Sequence, residues 1–127
     1  MYRGSGLIAD FSIYKYPNKL FLECKSVQGG TLPRANISDN QLYGMYKEHK
    51  KRGVNAGIIV WYVKYDKTIY IPIREIYRVL EKEKQKSIKY RDINNLKHYE
   101  VPARKKQIMF TYDLIDLMEQ ATKLKGE

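Results

Sequence analysis

Asp10, Glu23 and Lys25 form the one group of residues in this chain whose types and spacing suggest chemistry. Two carboxylates and an ammonium on one sheet face suit metal-assisted phosphodiester hydrolysis. Hard oxygen ligands hold Mg²⁺ or Mn²⁺, which polarises a phosphoryl oxygen and acidifies a bound water. A lysine beside them orients that water and offsets the negative charge of the displacement. The backbone carbonyl of Cys24, between Glu23 and Lys25, offers a further oxygen ligand. The plainer reading is a cross-strand ion pair contributing at most about 1 kcal/mol. Glu48-His49-Lys50 repeats the Glu-x-Lys pattern where it reads as a solvated helix end. What distinguishes Phe21-Leu22-Glu23-Cys24-Lys25 is charge set inside an otherwise apolar strand.

The elements that must position these residues are legible. Leu7 to Tyr14 reads as a strand, Tyr16-Pro17-Asn18-Lys19 as a turn and Leu20 to Lys25 as a second strand, together a β-hairpin. A turn about Pro17-Asn18 sets Asp10 opposite Lys25 and Glu23 opposite Ser12. The three charged residues then share one face, while Leu22 and Cys24 point to the other. This convergence needs a loop of even length, since an odd one sends Asp10 to the wrong side. Gln28-Gly29-Gly30 ends the hairpin, and Thr31-Leu32-Pro33 begins an irregular connection.

Ser38-x-x-Gln41 has the capping-box pattern and starts a helix with Leu42, Met45, Tyr46 and His49 on one stripe. Lys47 to Arg52 suits its C-terminal end, and Gly53 stops it. Ala56 to Lys64 is a buried strand, paired with Thr68 to Ile71 through the Tyr65-Asp66-Lys67 turn. Pro72 opens a second helix carrying Ile76, Tyr77 and Leu80, which decays into the polar run Glu81 to Lys86. Residues 87–106 have no clear pattern. Gln107 to Phe110 reads as a last strand, and Asp113 to Lys125 as a terminal helix. The order is mixed α/β, without repeat or linker.

The chain has 127 residues and a net charge of +10, so it reads as one soluble, cytoplasmic domain with a polyanionic partner. Nucleic acid ranks first. An anionic membrane surface ranks below it, because the basic residues are dispersed and not gathered on one amphipathic helix. Cys24 is the only cysteine, which excludes an internal disulfide and a cysteine zinc cluster; two histidines exclude a multi-histidine cage. The apolar run Ala56 to Val63 is too short to span a bilayer. Arg3, Lys15, Lys19, Arg34, Lys50-Lys51-Arg52 and Arg104-Lys105-Lys106 are candidate phosphate contacts. Each alone reads as solvated surface, and their sum is what suggests DNA.

Asp10 followed thirteen positions on by Glu23-Cys24-Lys25 resembles the PD-(D/E)XK nuclease signature, with Ala9-Asp10 at the first pair. Tyr2-Arg3-Gly4, Phe21-x-Glu23-x-Lys25, Thr31-x-Pro33, Gln41, Val60-Trp61 and Lys86-Ser87-Ile88 extend the likeness to RecU-type Holliday junction resolvases, closest to phage-encoded members. The resemblance covers roughly residues 2–90. It implies a restriction-endonuclease-like core, a mixed sheet flanked by helices. It also implies a Mg²⁺-dependent, dimeric endonuclease that nicks four-way DNA junctions. Asp10 and Glu23 would be metal ligands, with the Cys24 carbonyl beside them, and Lys25 the catalytic lysine. Gln41 falls where the family has an active-site glutamine, a role compatible with capping. Only nine residues precede Asp10, where the family has an N-terminal helix and a basic stalk, so the chain is expected to be either a fragment or a minimal form of the family. Two other readings stand: a non-catalytic or truncated DNA-binding module, and a general nicking nuclease. For the dimer, Ile69-Tyr70-Ile71 and the Ile73/Ile76/Tyr77 helix face offer candidate apolar surface.

Overall fold

The computed structural model describes residues 9–102 and 111–126. Its elements are β1 (Phe11–Lys15), β2 (Asn18–Val27), β3 (Thr31–Pro33), α1 (Asp39–His49), β4 (Val54–Tyr62), β5 (Lys67–Pro72), α2 (Ile73–Tyr77), β6 (Ser87–Lys89), β7 (Tyr99–Glu100) and α3 (Thr111–Lys125). A π-type turn, Arg78–Lys82, continues α2. Arg3, Arg104, Lys105, Lys106 and the expected strand at Gln107 to Phe110 lie outside the described residues.

Five strands form one mixed sheet in the order β1-β2-β4-β5-β7, and β3 pairs with β6 in a small second sheet. Among the described residues only β2 and β4 run parallel; the other described pairs are antiparallel. A parallel pair needs a crossover, and β3 with α1 supplies it. Helices cover both faces, which is why β4 reads as an unbroken apolar run. On one face Leu42 and Met45 of α1 and Ile73 and Ile76 of α2 pack against Ile58, Val60, Ile69 and Ile71. On the other, Leu114, Leu117, Met118 and Ala121 of α3 pack against Leu20, Leu22, Ile59 and Tyr70. The result is a mixed α/β core with a five-stranded sheet between helices, consistent with a restriction-endonuclease-like fold.

Several expectations change. Thr31–Pro33 is a strand and not an irregular connection, because its backbone pairs with Ser87–Lys89, far along the chain. Residues 87–100 are ordered as β6, a 3₁₀ turn and β7. The proposed dimer surface is not surface: Ile69, Tyr70, Ile71, Ile73 and Ile76 are buried in the chain's own core. Tyr77 stacks on Tyr46 with ring centroids 3.8 Å apart. His49 is a packing residue as expected, its Nδ1 accepting the Ala56 N–H at 2.9 Å.

Candidate active site

The hairpin turns about Tyr16-Pro17, so Lys15 pairs with Asn18 and Phe11 with Leu22. The expected turn about Pro17-Asn18 was therefore displaced by one residue and the pairing by two. A slip of two preserves every side chain's face, so Asp10 remains on the side of Glu23 and Lys25, though it no longer lies opposite Lys25. Asp10 sits just before β1 begins, and its Oδ2 accepts the backbone N–H of Cys24 at 3.1 Å. That bond ties the carboxylate to the peptide between Glu23 and Lys25.

Glu23 is only 4 % exposed. Its Oε2 lies 3.3 Å from Lys25 Nζ, while its Oε1 is buried without a hydrogen-bond partner. An unsatisfied buried carboxylate oxygen is costly unless a cation or donor meets it. Lys25 also donates to Gln41 Oε1 at 3.3 Å. The same oxygen accepts the Ser38 N–H at 3.3 Å, and Ser38 Oγ accepts the Gln41 N–H at 3.1 Å. The capping box that starts α1 thus holds a glutamine against the lysine of β2, so capping and site contact are one arrangement. The link from Ser38 through Gln41 to Lys25 was not foreseen, although the Ser38-x-x-Gln41 spacing was its signal.

Burial pushes the Cys24 thiol up to about 11, with the charges of Asp10 and Glu23 adding to the effect. Alternation along β2 points the Cys24 side chain to the face opposite Glu23 and Lys25, which leaves its backbone carbonyl as the donor it can offer the site. Among the described residues no cluster of three or more His, Cys, Asp or Glu side chains is assembled for a metal. The donors on hand are all oxygens: two carboxylates, one with an oxygen to spare, and a peptide carbonyl. That set fits Mg²⁺ or Mn²⁺.

Residues 11–117 match the family model described as recombination protein U. The chain belongs to that family. The recombination protein U family comprises Holliday junction resolvases, nucleases that act on junction DNA in recombination. The match takes in Glu23, Cys24, Lys25 and Gln41, begins one residue after Asp10, and runs past residue 90, where the sequence likeness had stopped. No curated protein sequence matches the chain.

The basic candidates scatter. Arg34 is committed internally: it donates to the Ile37 carbonyl at 2.7 Å and pairs with Asp39 at 2.6 Å and Glu81 at 3.6 Å. Lys51 pairs with Glu48 at 2.9 Å, and Lys50 Nζ lies 4.6 Å from the Tyr46 ring centroid. Lys15 and Arg52 are exposed near the hairpin turn. Among the described residues no helix is long and apolar enough to cross a membrane.

Proposed function

We propose that this chain is a metal-dependent, structure-selective DNA endonuclease of PD-(D/E)XK type that nicks four-way junctions, with Mg²⁺ the first candidate and Mn²⁺ the second. The buried Glu23 oxygen without a partner, beside a lysine fixed by Gln41, is the observation that carries the reading. Asp10, Glu23 and the Cys24 carbonyl would hold the ion. When bound, it supplies Lewis-acid polarisation of the scissile phosphate and a more acidic water. Lys25, steadied between Glu23 and Gln41, presents its ammonium to the charge that develops on the phosphoryl oxygens and orients the attacking water. Water adds at phosphorus as the bond to the leaving oxygen breaks, giving two strand ends. Gln41 keeps the lysine from swinging into solvent.

Each chain has one such site, and resolving a near two-fold junction takes a nick in each of two strands. The productive species is therefore proposed to be a C₂ homodimer, checked by light scattering at micromolar concentration. The defining experiment offers a labelled four-way junction, a linear duplex and a single strand with Mg²⁺. Junction cutting that stops with EDTA or with Asp10→Asn supports the reading. Activity that survives either removes the mechanism, and equal cutting of all three removes junction selectivity. Salt-dependent DNA binding without cleavage by any divalent ion marks a binding module instead.

A further inference from the structure

The face that carries the carboxylates continues along the hairpin. Ser12 pairs with Phe21 and Tyr14 with Lys19. Side chains alternate along each strand and cross-strand partners share a face. Ser12 and Tyr14 of β1, with Lys19 and Phe21 of β2, therefore extend the strip that begins at Asp10, Glu23 and Lys25. Phe21 is partly buried against the core beneath α1. Tyr14, on the edge strand, is 67 % exposed.

Its cross-strand neighbour leaves it open. Lys19 Nζ lies 4.8 Å from the Phe21 ring centroid, turned along its own strand toward the carboxylates. A large aromatic face and an ammonium thus stand side by side on the open half of the catalytic face. More positive charge gathers at this end. The Lys19 N–H donates to the Gly53 carbonyl at 2.8 Å, which seats Lys50-Lys51-Arg52 beside the turn. Gly53 has φ +75°, and a Cβ there would meet the Pro17 carbonyl oxygen at 2.9 Å. A side chain at this position would push the basic run off the hairpin.

We infer that Tyr14 and Lys19 are positioning residues for the DNA strand that crosses the catalytic face: Tyr14 stacks on an unpaired or unstacked base, and Lys19 takes a flanking phosphate. The inference rests on the nuclease reading and names how that site chooses its substrate. Four residue steps lead from Asp10 to Tyr14, on the order of 13 Å, or roughly four base steps of duplex. That reach places the ring beside bases near a branch point and away from the scissile phosphate. Stacking tolerates any base, since each has a π face, so the pair would select for distorted structure and not for sequence.

The test is photocrosslinking of the wild-type chain, in EDTA, to four-way junctions with 5-iodouracil placed at successive positions around the branch. Adducts mapped by mass spectrometry to Tyr14, retained by Tyr14→Phe and lost in Tyr14→Ala, are expected. Tyr14→Ala should raise KM for the junction about tenfold with kcat unchanged. Lys19→Gln should flatten the slope of log K against log salt by about 0.9. Adducts confined to other residues, with KM and the salt slope unmoved, would overturn the inference. Absence of cleavage by the wild type would sink the nuclease reading alone, because the crosslinking and salt arms need no turnover.

Discussion

Glu23-Cys24-Lys25 and Glu48-His49-Lys50 have the same pattern of residue types, yet their structures share nothing. On β2 the period of two puts Glu23 and Lys25 on one face, 3.3 Å apart. At the end of α1 residues two apart diverge around the helix. Glu48 pairs with Lys51 instead, Lys50 covers the Tyr46 ring, and the middle residue His49 is the buried one. A motif of two charges carries chemistry only through the element that folds it.

Replacing both glutamates tests that contrast most severely. Glu23→Gln should lower junction cleavage at least about a hundredfold while leaving thermal stability close to the wild type's, since the isosteric amide removes a buried negative charge but also the ion pair with Lys25. Glu48→Gln should leave cleavage intact and change stability by no more than about 0.5 kcal/mol. A Glu23→Gln protein that still cuts, or that melts far below the wild type, would erase the distinction. A pair at the start of α1 sharpens it. Gln41→Ala removes one of the two partners of Lys25 and should cost about tenfold in kcat. Ser38→Ala removes only the cap, costing about 1 kcal/mol of unfolding free energy with kcat nearly kept. Equal losses in kcat would mean Gln41 acts only through the helix.

The smallest effect concerns Cys24. Its thiol, raised from the usual 9.0 to about 11 by burial and then by Asp10 and Glu23, favours the fold fully below pH 9. That contribution is lost as pH rises through about 11. Iodoacetamide at pH 9 should label the native thiol more slowly than the unfolded one, and faster in Asp10→Asn than in wild type. Equal labelling rates in wild type and Asp10→Asn would place the thiolate outside the influence of that carboxylate.

The sequence carried the face of the site better than its register. Parity alone decided that Asp10, Glu23 and Lys25 converge, and parity survives a displacement of two. Which two residues make the turn is a local backbone choice that composition leaves open between Tyr16-Pro17 and Pro17-Asn18. The long strands and α1 were readable because their apolar periods run for several residues. β3, β6 and β7 have two or three residues each and exist through distant pairing, so they leave no periodic trace. The same holds for burial: Ile69 to Ile76 is apolar enough for an interface or a core, and only the packing of α1 and α2 over it decides for core. Arg34 looked available for DNA, since Asp39 meets it only once the turn into α1 has formed and Glu81 only through the tertiary fold.

The parallel pairing of β2 with β4 has a kinetic consequence. The β1–β2 hairpin closes locally, so Asp10 and Glu23 can meet early in folding. Joining β2 to β4, from Lys19 with Val54 to Val27 with Tyr62, closes a long loop and is paid for in chain entropy before it returns any contact. Gln41 rides on that loop, and its bond to Lys25 must wait for the crossover to dock. Pulse-labelled hydrogen exchange during refolding should therefore protect the hairpin amides of β1 and β2 before those of β4. The acidic half of the site would assemble first, and the clamp on its lysine would arrive with the core.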